Sequence, residues 1–342
     1  MLSRVAENLY WMSRYIERAE NNARLMKVSL QMLLDGEAVI GRKLMRYWRA
    51  VLLATASDEL FEKTHPKGDA GQIADFLTTS LLNPDSIYSG IASARENARM
   101  IRDQISEEMW TELNDLYLFL RSPRARDGFH RAPQDIYDQI VAKSMMFQGI
   151  TDNTLARGEG WQFIQLGKLL ERADKTSRFI DIKHHSEVAG DTPTLDALQW
   201  TSILRACSAL GSYRAEFGSS IRADHVLHVL IFSMSFPRSI RFALAALDRI
   251  LHDLSGSRVG DFTNEAEKRT GSLLARLNFS SVDDVINHGI HQYIDQLQAE
   301  LNLIGQSVFE TYVLLPTEVN RLFNPPQPSA YFQYQQQQQQ QQ

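Results

Sequence analysis

The chain has 342 residues, 44% hydrophobic and 23% charged, which excludes disorder throughout and allows about two cores' worth of chain. A single cysteine, Cys207, excludes an intramolecular disulfide, and no Cys/His grouping has structural zinc spacing, so stability has to come from packing. The net charge of −5 neither selects nor excludes nucleic acid, and the most apolar run, 226–236, is far short of the roughly 20 residues that a membrane span needs.

The first segment places Leu2, Val5, Leu9, Met12, Ile16, Ala19, Ala23, Met26, Leu30 and Leu33 at alternating spacings of three and four. That pattern predicts one long helix packed along its length and ended by Asp35 and Gly36. Arg4 and Glu7 fall in its first turns and no apolar leader core follows, so no secretory signal is expected and the protein is expected to be cytoplasmic. Long proline-free stretches predict further helices over 39–63, 70–82, 86–103, 106–121, 133–147, 151–184, 194–217, 223–234, 237–254, 263–277 and 282–314. Asn83-Pro84-Asp85-Ser86 reads as a stop followed by a start, Thr192-Pro193 opens a helix, and Ser281 with Asp284 resembles a capping box. No alternating strand pattern of useful length occurs. The expected fold is an all-α multi-helix bundle with long antiparallel helices, one domain over 1–316, followed by a disordered Pro/Gln-rich tail over 317–342.

One internal repeat stands out, at an offset of 154. Glu17-Arg18-Ala19-Glu20 with Arg24 recurs as Glu171-Arg172-Ala173-Asp174 with Arg178, while Arg14 falls on Lys168. At 100° per residue, Glu17, Glu20 and Arg24 lie directly beside the apolar seam, so two long helices carry the same charges along a packed face. Small residues at 19, 23, 173 and 177 would admit another helix closely and draw those charges toward burial, where they need partners. A third relative, Arg95-Glu96-Asn97-Ala98-Arg99, offers Glu and Arg at similar spacing. Two readings follow: ion pairs that fix helix register, or arginines converging from several helices on an anion such as a phosphate or carboxylate.

Leu9-Tyr10-Trp11-Met12-Ser13-Arg14-Tyr15-Ile16-Glu17-Arg18-Ala19-Glu20, the Arg95 to Arg99 block, Gly160-Trp161-Gln162-Phe163, Leu169-Leu170-Glu171-Arg172-Ala173-Asp174 and Phe236-Pro237-Arg238-Ser239-Ile240 together resemble the bacterial Alpha-E family. The resemblance covers residues 1–315 and leaves the glutamine tail outside. That family is an all-helical domain with Glu-Arg motifs, encoded beside or fused to a circularly permuted ATP-grasp protein, often with a transglutaminase-like cysteine protease. The resemblance therefore implies an accessory module in ATP-dependent amide or peptide bond formation, with no settled activity of its own. It marks Glu17, Arg18, Glu171, Arg172 and Arg238 as family-type residues. The candidate ligand-binding set, for an anionic acceptor or carrier, is Glu17, Arg18, Glu20, Arg24, Arg95, Glu96, Arg99, Glu171, Arg172, Asp174, Arg178 and Arg238.

Other groupings weigh less. Arg121, Arg124, Arg126, His130 and Arg131 make a basic loop with only Phe129 to stack on a base, so a solvated loop is the simpler reading than a nucleic-acid contact. His225 with His228, and His288 with His291, stand three apart, but Glu-x-x-His pairs of the di-iron type are missing, so no metal site and no cofactor are expected. Cys207 reads as a small buried thiol, and Trp11, Trp161, Tyr10 and Tyr15 as packing residues. No Ser-His-Asp set, P-loop or dinucleotide signature occurs, so no catalytic residue is assigned. The alternatives to the accessory module are an enzyme using a buried Glu17 or Glu171, its pKa raised by burial, as general acid or base, and a pure scaffold.

Overall fold

The computed structural model describes residues 1, 3–40, 44–186 and 192–314, so the proline- and glutamine-rich segment 317–342 lies outside the described residues. Among these, regular structure is helical throughout: α1 Ser3–Ile40, α2 Leu44–Ala54, α3 Asp58–Thr64, α4 Ala70–Thr78, α5 Ile87–Met100, α6 Glu107–Arg121, α7 Pro123–Arg131 and α8 Pro133–Thr154. Then follow α9 Glu159–Ser186, α10 Pro193–Ala206, α11 Leu210–Phe217, α12 Ala223–Leu227, α13 Ile240–Ser255, α14 Glu265–Asn278, α15 Val282–His288 and α16 Ile290–Phe309. The all-α multi-helix bundle is as the sequence indicates. No described helix is long and apolar enough to cross a membrane.

The packing repeats. Helices α1, α5, α6 and α8 form a four-helix ring in which each packs on the next, and α9, α13, α14 and α16 form a second ring with the same connectivity. The rings are joined where α1 lies along α9, and α2 and α10 cross over, α2 packing on α9 and α10 on α1. The two motif helices run parallel, not antiparallel as expected for the long helices: the Met1 amino group pairs with Glu159, Arg14 with Glu171, and Arg172 with Glu17, so the chain advances in one direction along both. Parallel neighbours need a long return, and α2 to α8 provide it.

Local sequence explains the departures from the expected spans. The backbone stays helical through Asp35 and Gly36 to Ile40, since a glycine ends a helix only where the chain turns left-handed, and this one does not. The 194–217 span is cut at Ser208, held at φ 54°, and the 39–63 span at Ala56, held at φ 53°. Gly289, at φ 92°, cuts 282–314 into α15 and α16. The basic stretch expected as a loop is the short helix α7, started by Pro123 at its first turn with the Ser122 hydroxyl accepting the Ala125 N–H.

Helices α1 and α9 are enclosed nearly all round. Leu9, Met12, Ile16, Ala19, Ala23 and Met26 of α1 are buried, as the seam predicts, and so are Glu17, Glu20, Asn21 and Asn22 beside it. The helices approach closely at Gly167, where a Cβ would stand 2.3 Å from both the Tyr10 carbonyl oxygen and Ser13 Oγ. Ser13 and Gly167 are themselves related by the 154-residue offset, so equivalent positions meet on the axis relating the two helices.

Candidate functional site

The repeated motif lies at the junction of the two rings. Arg172 donates from Nε to Glu17 Oε1 at 2.8 Å and from Nη2 to Glu17 Oε2 at 2.9 Å. Arg18 returns the pairing, donating from Nε to Glu171 Oε1 at 2.7 Å and from Nη2 to Glu171 Oε2 at 3.1 Å. Each Glu-Arg dipeptide therefore closes on the other, the self-complementary contact that a two-fold relation produces. Both glutamate side chains are fully buried.

Around this core each half is completed differently. On the first side Arg238 donates to Glu17 at 3.1 Å, to Asn21 Oδ1 at 2.9 Å and to Glu20. The Gln148 amide donates to Glu17 Oε2 at 3.0 Å and to Glu20 Oε2 at 2.8 Å. Arg24 pairs with Glu20 at 2.8 Å and reaches the Ser208 hydroxyl. On the second side Arg14 donates to Glu171 Oε2 at 2.8 Å and to the Tyr10 hydroxyl at 3.1 Å, while Arg18 also pairs with Asp85. Arg178 pairs with Asp174 at 2.8 Å. Lys175 occupies the position equivalent to Asn21, is 4% exposed, and supplies near Glu171 the cation that Arg238 brings to Glu17.

Arg238 and Asp85 occupy matching turns. Pro84-Asp85-Ser86-Ile87 opens α5 and Pro237-Arg238-Ser239-Ile240 opens α13, each serine hydroxyl accepting the N–H three residues on, at 3.1 Å. Asn22 Nδ2 donates to the Asp85 carbonyl oxygen at 3.0 Å and the Thr176 hydroxyl to the Arg238 carbonyl oxygen at 2.9 Å, so each motif helix holds one turn in place. The duplication thus extends beyond the motif.

Electrostatics fix the protonation of the two central acids. Burial pushes Glu17 up, but Arg172 and Arg238, with their hydrogen bonds and that of Asn21, hold its carboxyl at about 2. Burial acts the same way on Glu171, and Arg18 and Arg14 overcome it, holding this carboxyl well below the usual range. The raised pKa expected of a buried general acid is therefore absent: in this chain the charges that share the burial outweigh it. Burial pushes the Cys207 thiol up to about 12, which suits the expected packing role and leaves no thiolate for nucleophilic attack.

The structure brings together Glu17, Arg18, Glu20, Arg24, Glu171, Arg172, Asp174, Arg178 and Arg238, but not the third relative. Arg95, Glu96 and Arg99 lie on the outer face of α5, where Glu96 takes hydrogen bonds from both arginines at 2.9 and 2.8 Å and Arg95 covers Trp110 and Tyr117. The expected convergence of three helices is thus a convergence of two helices and one cap. Glu96 instead borders an open groove of about 570 Å³ between α1 and α5, also lined by Arg4, Asn8, Trp11, Tyr15 and Met100. Trp11 is therefore a groove residue as well as a packing residue, with Arg14 stacked 5.2 Å from its ring. Sequence reasoning misses Asn21, Asp85 and Gln148; the shared Pro-x-Ser-Ile turns are a signal for Asp85, whereas no local pattern singles out Gln148.

The Alpha-E family model, described as a predicted alpha-helical domain with a conserved ER motif, matches residues 1–313. The only two Glu-Arg dipeptides of the chain are those at 17–18 and 171–172. The chain is similar to the uncharacterized proteins Mb2597 of Mycobacterium bovis and MT2643 and Rv2567 of Mycobacterium tuberculosis, with 22% identity in each case over an alignment of 353 residues. These alignments take in 95% of this chain but 38% of each relative, so the chain spans about two fifths of the length of the curated relatives it matches. No solved structure matches it. With a match that runs through both motif helices and both rings, the chain belongs to the Alpha-E family.

Proposed function

We propose that this chain is an accessory helical module that works with a circularly permuted ATP-grasp amidoligase in ATP-dependent amide or peptide bond formation in the bacterial cytoplasm. The observation that carries the reading is the state of Glu17 and Glu171: buried, ionised and fully engaged by arginines, they have no proton to exchange and no open coordination for a substrate. The Glu-Arg network then serves as the core that holds a rigid body together, and chemistry is supplied by a partner. The far greater length of the mycobacterial relatives supports this, since it suits a module joined to, or beside, further polypeptide. The α1–α5 groove is the docking place for the acceptor or carrier, with Arg4 available to an anionic group and Trp11 and Tyr15 to its apolar parts.

Co-expression with the ATP-grasp protein, affinity isolation and ATP hydrolysis with and without this chain test the reading. A stable complex with altered turnover is expected, and Arg4→Glu with Glu96→Arg should lower partner-dependent turnover about tenfold at unchanged melting temperature. Absence of association at several micromolar would overturn it. The same isolation, repeated with a transglutaminase-like cysteine protease, tests that enzyme as a second partner.

A further inference from the structure

A second cluster of titratable groups lies outside the Glu-Arg network, where the last turns of α9 meet the first turn of α16. Asp181 and His185 stand four apart on α9, which stacks their side chains on one face, and His185 Nε2 is 3.0 Å from Asp181 Oδ2. From α16, His291 brings Nδ1 to 2.7 Å from Asp181 Oδ1. One donor atom from each of the three residues lies within 4.8 Å of those of the other two. His184 stacks on the His291 ring, with centroids 4.0 Å apart and planes 8° from parallel, and fixes its orientation. Asp295, a turn beyond His291, places Oδ2 3.4 Å from its other nitrogen, and Arg46 of α2 donates to the His185 carbonyl oxygen at 3.2 Å.

We propose that Asp181, His185 and His291 form a binding site for a divalent first-row transition-metal ion such as Zn²⁺. Donors held about 2.0–2.2 Å from one ion lie about 3.0 Å apart at right angles and about 3.4 Å apart at the tetrahedral angle, so small side-chain rotations open the observed cluster onto a shared ion. Two imidazoles with one carboxylate suit zinc, cobalt, nickel or iron, whereas calcium and magnesium take oxygen ligands. Asp181 is buried while the His185 and His291 side chains are 28% and 24% exposed, so the carboxylate is fixed and the ion has a path from solvent. Three protein donors leave coordination positions open to water or a ligand. The sequence spacing pairs His291 with His288, which instead contacts Gln296; only the packing of α9 on α16 supplies the other two donors. The site shares no residue with the Glu-Arg network or the α1–α5 groove, so it stands or falls separately from the partner reading.

The test is calorimetric titration of the chelator-treated full-length chain with Zn²⁺, followed by Co²⁺ absorption spectroscopy. One Zn²⁺ per chain is expected, with a Kd on the order of 1 μM or tighter, and a Co²⁺ ligand-field band that Zn²⁺ displaces. His185→Ala and His291→Ala should each weaken Zn²⁺ binding more than about tenfold, and Asp181→Asn likewise, while the His225→Ala/His228→Ala double variant retains it. No stoichiometric binding by the unmodified chain at about 100 μM Zn²⁺ would overturn the site whatever the variants do. Binding that survives the loss of both His185 and His291 would overturn it equally, leaving the cluster as a hydrogen-bonded His–Asp–His pairing.

Discussion

Glu17 and Glu171 have the residue type and the burial of a catalytic acid, yet the groups around them make them permanent anions. Burial alone disfavours the charged form, and two arginines at each carboxylate reverse the sign. A carboxyl whose folded pKa lies below its unfolded value adds stability that is complete above about pH 4.5 and is lost as pH falls through the folded value. The melting temperature should therefore hold near neutrality and fall between about pH 4.5 and 2, the lower bound being the pKa of Glu17. Glu17→Gln should flatten part of that acid limb and cost about 3–5 kcal/mol at pH 7, because Arg172 would keep its burial and lose its counter-ion while Arg238 would be left with Glu20 alone. Thermal melts across this pH range check both; a variant as stable as the parent chain would contradict the interlock.

At the scale of elements, the contact between α1 and α9 depends on a missing side chain. At Gly167 a Cβ would stand 2.3 Å from the Tyr10 carbonyl oxygen, and a helix backbone cannot yield as a flexible side chain can. Gly167→Ala should lower stability by about 1–3 kcal/mol despite the better helix propensity of alanine. Gly149→Ala in α8, where nothing lies within 4 Å, should instead be neutral or stabilising by up to about 1 kcal/mol. Chemical denaturation of the two variants separates packing from propensity. The left-handed turns at Ala56 and Ser208 belong to the same scale: Ser57 N donates to Leu52 O at 3.0 Å and Ala209 N to Leu204 O at 2.7 Å, so each half ends its crossing helix with the same bond.

Across the whole molecule the two rings meet along their central helices α1 and α9, and neither can bury its charges alone. Without α9, Glu17 would lose Arg172; without α1, Glu171 would lose both Arg14 and Arg18. The crossing of α2 and α10 ties each ring further to the other's central helix. Thermal unfolding should therefore be one cooperative transition, with helix loss in the far ultraviolet coinciding with loss of tertiary packing around Trp48 and Trp200, both buried. Two separated transitions would show that the rings fold independently.

Much of this molecule is legible in its amino-acid sequence. Spacing along residues 2–33 and 163–180 identifies two long helices, and the position of Glu17, Glu20, Glu171 and Asp174 beside the apolar seam indicates that their charges are drawn inward. Periodicity is a property of one helix, and the chain carries it locally. What the spacing leaves open is decided by contacts between distant residues. The parallel course of α1 and α9, the reciprocal pairing of their dipeptides, the arrival of Arg238 and Gln148 at Glu17, and the separation of Arg95, Glu96 and Arg99 from that network all depend on where the rings meet. So does the sign of the pKa shift at Glu17, since burial and counter-charge act in opposite directions and only the tertiary structure sets how many arginines share the site.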